Sequence, residues 1–209
     1  DFFFDPVCPW AWITSRWVAE VQELRDYKVS WKFISLKILN QDKMDYASMP
    51  AGYKEVHAAG TAGLRVAAKA RSVAGNDAVA KVYTALGTSL HNRQERELFV
   101  ADIEGHIAGL LSQAGLPVEW AAAVNDETFD RLIADETALA LDRAGKEVGT
   151  PIITFNPGGL KEASFFGPVI STIPRGEEAT KLWDAIETIA TASGMAELKR
   201  SLRARPSFD

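Results

Sequence analysis

The chain has 209 residues, 47% of them hydrophobic and 24% charged, which is ordinary for a soluble globular protein able to bury a real core. A net charge of −5 and a pI near 5.3 argue against nucleic acid and an anionic membrane surface as main partners, and no apolar run approaches the ~18 residues of a spanning helix. One cysteine excludes an internal disulfide and fits a reducing compartment. The length suits one large domain, or a core with one insertion. The sequence starts inside a strand without an initiator Met, so a few upstream residues are expected to be missing.

Phe2-Phe3-Phe4 reads as a short buried strand. Asp5-Pro6 stops it, because proline holds its predecessor extended and has no N–H to donate. Cys8 follows, then Pro9 in the first turn of a helix, where its missing N–H costs nothing. Trp10, Ile13, Trp17, Val21 and Leu24 recur at helical spacing and define an amphipathic helix over 9–25. Cys8 thus falls at a strand-to-helix junction. A lone cysteine is usually a small buried hydrophobe. Here the free amides at the helix N-terminus are expected to favour the thiolate, drawing the thiol one to five units below about 8.5.

Residues 29–38 are apolar on both faces along much of their length and predict a central parallel strand, closing a right-handed strand–helix–strand crossover. A polar loop spans 40–52, with Asn40, Gln41, Asp42, Met49-Pro50 and Gly52. From Tyr53 to about Lys146 alanine is dense and helical spacing dominates. The predicted helices are 53–71, 76–91, 95–113, 117–124 and 126–145, punctuated by Gly75-Asn76, Gly115-Leu116-Pro117 and Asn125-Asp126. Strand texture returns at Thr150–Phe155, turns at Asn156-Pro157-Gly158-Gly159, and resumes over Ala163–Phe166, a hairpin. A final helix covers Gly176–Ala192, and Ala196–Arg203 is a basic helical turn or tail.

Among the other groups, His57 and His106 read as surface or satisfied helix residues, and His91 as a helix C-cap or a cleft residue. A Cys/His hydrolase would need a histidine against Cys8 and an oxyanion hole, which nothing local signals. The cysteine and histidines make no metal-ligand spacing. Gly158-Gly159 is a turn rather than a phosphate cradle. Trp10 beside the thiol either stacks on a substrate or plugs an interface. Pro151 opens a strand, where the ordinary reading is a trans proline at a strand edge.

The Cys8-Pro9-Trp10-Ala11 stretch at this junction resembles the Cys-Pro-x-Cys motif of DsbA-type thioredoxin-fold oxidoreductases. Residues 2–17, 35–40, 86–92 and 148–184 are similar to the actinobacterial mycothiol-dependent nitroreductase family. So are Phe165-Phe166-Gly167-Pro168-Val169, Ile173-Pro174-Arg175-Gly176-Glu177-Glu178, Glu197-Leu198-Lys199-Arg200 and Pro206–Asp209. The resemblance implies an α/β thioredoxin-like fold (βαβ–ββα) of DsbA type. Residues 1–52 and 147–209 would form the thioredoxin-like domain and 53–146 an inserted all-helical domain.

It further implies a cytoplasmic enzyme, monomeric or homodimeric, with no tightly bound cofactor and mycothiol as cosubstrate. Its partners would be low-molecular-weight thiols with disulfide or nitro-type substrates. Cys8 maps to the reactive cysteine, Pro9 and Trp10 to its motif neighbours, and Asn40, Tyr53 and His91 to cleft residues. Pro151 maps to a cis proline that frees the Thr150 backbone for a ligand. Ala11 stands where the family carries a resolving cysteine, so this chain either traps a mixed disulfide or works with one thiol. A kappa-type glutathione transferase or isomerase, and a non-catalytic binding or chaperone module, are the alternatives on the same fold. The kappa relatives place serine at the Cys8 position.

Overall fold

A computed structural model describes residues 1–41 and 43–209; Asp42, named above in the polar loop, lies outside the described residues. Four strands, β1 (Phe2–Phe4), β2 (Trp31–Phe33), β3 (Ile152–Phe155) and β4 (Ala163–Phe166), form a mixed sheet in the order β2-β1-β3-β4. β1 and β2 are parallel, and β3 pairs antiparallel with both β1 and β4. Alternation sorts the β1 side chains. Phe2 and Phe4 join Trp31, Phe33, Ile153 and Phe155 in the larger core, while Phe3 joins Ile34, Leu39, Ala140 and Ile152 in a smaller one. Both faces are therefore covered, which explains why β1 reads as an unbroken aromatic run.

α1 (Pro9–Leu24) packs beside α8 (Gly176–Thr191). Trp17 donates its indole N–H to the Ala179 carbonyl at 2.9 Å and meets the Trp183 ring. Between β2 and β3 the chain is helical: α2 (Leu36–Asn40), α3 (Tyr53–Ala74), α4 (Asn76–Gly87), α5 (Arg96–Ala101), α6 (Ile103–Gln113) and α7 (Asp130–Ala144). Glu136 on α7 accepts the Phe33 amide at 2.8 Å and pairs with Lys32 and Arg71, tying β2 to α3 and α7. No helix among the described residues is long and apolar enough to cross a membrane.

Several expected boundaries move, each for a local reason. The strand expected over 29–38 is only Trp31–Phe33. Ser35 caps a short helix instead, its hydroxyl accepting the Ile38 amide at 3.4 Å while the Asp5 carboxylate takes the Leu36 amide. A short apolar run fits either period, and the caps decide. The helix expected over 95–113 is split at Asp102, whose backbone leaves the helical region and whose carboxylate caps α6 by accepting the Gly105 amide. The helix expected over 76–91 ends at Gly87 and continues as one wide π-turn, Thr88–Asn92. The stretch 117–124 is a 3-10 helix, Val118–Asn125, and α7 is preceded by a 3-10 turn, Glu127–Phe129. Another 3-10 turn, Tyr46–Ser48, interrupts the polar loop. The tail after Thr191 forms no helix: most of it is exposed, and a short helix without a packing surface is marginal.

Candidate active site

The site begins at the end of β1. Asp5 is fully buried, and its carboxylate accepts the Val7 amide at 3.0 Å and the Leu36 amide at 2.8 Å. It thereby pins the turn before α1 to the start of α2. Burial pushes the Asp5 carboxyl up to about 7 against the pull of those two amides. α3 lies tight against this turn because position 60 is glycine: a Cβ there would fall 2.6 Å from Asp5 Oδ1 and 3.0 Å from Val7.

Cys8 is the N-cap of α1, with extended backbone, its amide bonded to the Asp5 carbonyl at 3.1 Å and Pro9 opening the helix. Sγ accepts the Ala11 amide at 3.4 Å. On its other side the thiol donates to the Thr150 carbonyl at 3.7 Å. The Thr150–Pro151 peptide is cis, and the Thr150 hydroxyl is buried with no hydrogen-bond partner among the described residues. Cys8, Ala11, Thr150 and Pro151 are thus brought together from residues far apart in sequence.

The expected direction of the Cys8 titration is overturned. Only 5% of the residue is exposed, and burial pushes the thiol up to about 12. The Ala11 and Trp10 amides pull it down, while the Asp5 charge pushes it further up. The helix end acts as expected but is outweighed: sulfur gains weak amide hydrogen bonds and loses its hydration. The Thr150 carbonyl adds to this, since it can bond a thiol and not a thiolate.

Ala11 is wholly buried, and Pro9 and Trp10 are half-buried, the indole packed against the core. His91 lies buried in the π-turn, where Nε2 bonds the Pro6 carbonyl at 2.8 Å and therefore carries the proton. Burial holds the ring down to about 4, so it is neutral near pH 7. It stacks on Trp12 with centroids 6.0 Å apart and meets the tilted Phe208 ring at 5.5 Å. It therefore braces the turn two residues before Cys8 instead of supplying charge to the sulfur. Asn40 ends α2 and Tyr53 begins α3, both half-buried. The Tyr53 ring packs on His57 at 4.6 Å, and His57 Nδ1 bonds the Tyr46 hydroxyl at 2.8 Å. His106 bonds the Ser89 hydroxyl at 2.7 Å, a satisfied helix histidine.

Sequence reasoning missed three features. Asp5 was legible as a carboxylate adjoining a buried strand, a residue type that is rarely buried without partners. Trp12 is held by its indole N–H on Asn92 Oδ1 at 3.0 Å and by the Arg16 guanidinium, 4.1 Å above the ring. Gly87 makes room for that ring, and a Cβ there would come within 2.1 Å of it. Nothing local announced the last two. No group of three or more His, Cys, Asp or Glu is placed to hold a metal among the described residues.

A four-stranded mixed sheet among many helices, with a cysteine capping the helix after the first strand, is an α/β arrangement consistent with a thioredoxin-like fold. The chain belongs to the family described as "Rv2466c-like: Mycothiol-dependent nitroreductase Rv2466c", which matches residues 7–200. It is also similar to "Uncharacterized protein Rv2286c" of Mycobacterium tuberculosis (strain ATCC 25618 / H37Rv), 27% identical over 202 residues, which is 96% of this chain and 80% of that protein. The family is one of mycothiol-dependent oxidoreductases by its name.

Proposed function

We propose that the protein is a thiol–disulfide oxidoreductase that uses mycothiol as cosubstrate through the single thiol of Cys8. Residues 1–52 and 147–209 would form the thioredoxin-like unit, and 53–146 a helical domain inserted as in DsbA. The observation that carries this reading is the placement of Sγ between the Ala11 amide at the helix end and the Thr150 carbonyl.

In the proposed cycle Cys8 loses its proton and attacks the mycothiol sulfur of a mixed disulfide. That S–S bond breaks, the partner thiolate leaves and takes up a proton, and Cys8 now bears mycothiol. A second mycothiol, as thiolate, attacks the mycothiol sulfur on Cys8. Mycothiol disulfide forms and Cys8 is released, so a second mycothiol supplies the reducing equivalent. The Ala11 amide serves Cys8 as attacker and as leaving group. The Thr150 backbone aligns the substrate, and Trp10, Asn40 and Tyr53 hold its polar head. Ala11 leaves no internal route to resolve the mixed disulfide. Nitro-type electrophiles are the alternative substrates suggested by the family name.

Intact-mass measurement after exposure to mycothiol disulfide tests this. One mycothiol is expected on the parent protein, removed by free mycothiol, and none on Cys8→Ser. A parent protein that takes no adduct refutes the proposal. That outcome would favour the second reading, a binding module with an inert thiol, which the high Cys8 titration supports.

A further inference from the structure

The residues after α8 are exposed from 197 to 205, and then become half-buried at Pro206, Ser207 and Phe208. Two hydrogen bonds hold this short stretch. The Ser207 amide donates to the Ser171 carbonyl at 2.7 Å, and Asn92 Nδ2 donates to the Phe208 carbonyl at 2.6 Å. The Phe208 ring lies 5.5 Å from that of His91 and packs against the main core.

The two anchor points flank the beginning of α1. On one side, Asn92 accepts the Trp12 indole N–H, and His91 holds the Pro6 carbonyl. On the other, Ser171 stands three residues beyond Pro168, whose carbonyl accepts the Thr14 hydroxyl at 2.8 Å. The stretch 206–208 therefore runs from the loop after β4 to the π-turn, linking the two walls beside the helix that Cys8 caps. A segment without regular structure, held at one end by two hydrogen bonds and one ring, is among the least stable parts of a fold.

We propose that Pro206–Phe208 is a strap across the mouth of the thiol site, and that it must lift from Asn92 and Ser171 before a bulky disulfide reaches Cys8. Phe208 then selects substrates by size: a small electrophile reaches the sulfur past the closed strap, whereas a large conjugate waits for the open form. The inference deepens the preceding one, because a gate matters to turnover only if Cys8 is the reacting group.

Two variants test it. Phe208→Ala removes the ring from His91, and Ser207→Pro removes the amide that Ser171 holds. Neither touches Cys8 or its amide partners. Cys8 is the chain's only thiol, so each covalent adduct reports on it alone. The rates to compare are those of iodoacetamide and of fluorescein-5-maleimide, in variants whose thermal transition matches the parent. The bulky reagent is expected to react roughly tenfold faster in both variants: Ser207→Pro loses about one net hydrogen bond from the closed form, and Phe208→Ala loses the packing of a half-buried ring, each worth about the 1.4 kcal/mol that a tenfold change in an opening equilibrium requires. The small reagent should change less than about threefold. A maleimide rate equal to the parent's in both variants overturns the strap. Alkylation needs no mycothiol. A Cys8 that is gated in this assay yet never takes mycothiol would refute the proposed function and leave the strap standing.

Discussion

Titrating the folded protein from about pH 7 to about pH 11 while following iodoacetamide attack on Cys8 measures the contest between helix end and burial at this sulfur. The thiol is displaced from an ordinary 9.0 to about 12, so near neutrality the thiolate fraction falls by ~1000-fold relative to the unfolded chain. A more basic thiolate is also a better nucleophile, by about half a logarithmic unit per pKa unit, which returns a factor of ~20 to 30. The net expectation is a reaction at neutral pH some ~50-fold slower than that of the same cysteine in urea, before any steric shielding. The logarithm of the rate should climb with unit slope and show no plateau below about pH 10. A plateau at or below about pH 8 would refute the reasoning: the α1 amides would then have won, as the sequence alone suggests. A slope without plateau would mean that exchange near pH 7 draws on a hydrated or opened form of the site.

Two further substitutions probe the frame around the thiol. Gly87→Ala would place a methyl 2.1 Å from a Trp12 ring already held by Asn92 and Arg16. Alanine's better helix propensity gains at most ~1 kcal/mol. The clash should cost more, so a net loss of ~2 kcal/mol in urea unfolding is expected, and a loss below about 0.5 kcal/mol would refute the fixed ring. Ala11→Cys introduces a second thiol one helical turn from Cys8, where the position 11 amide already lies 3.4 Å from Sγ. On mild oxidation it should close a disulfide, seen as the loss of a hydrogen pair by mass and as protection of both cysteines from alkylation. Two alkylated thiols after oxidation of a folded variant would contradict that geometry.

Asp5 and His91 show how one turn is braced from both sides. Each is buried and each resists charge, with the carboxyl pushed up to about 7 and the imidazole down to about 4. Neither serves as an ion partner for Cys8: the Asp5 charge opposes the thiolate, and His91 is neutral. Their hydrogen bonds to the Val7 amide and the Pro6 carbonyl instead fix the backbone that aims the sulfur.

Much of the architecture was written in nearby residues. Pro9 after Cys8, the spacing from Trp10 to Leu24, and the Asn156–Gly159 turn act over a few positions, and the strand, helix and hairpin appear where they indicate. Ser35 and Asp102 are equally local caps, and they altered two elements because an apolar run or a helical period does not outvote a satisfied N-terminus. The chemical state of the site was not local. Cys8 titrates high because burial shuts water out, and part of that cover is Thr150, 142 positions away, whose carbonyl lies against the sulfur. Trp12 is seated by Gly87 and Asn92, and the Phe208 strap returns from the far end of the sequence. Sequence set the helix dipole that favours an anionic sulfur; only tertiary packing set the desolvation that opposes it, because hydration depends on every group brought near in space.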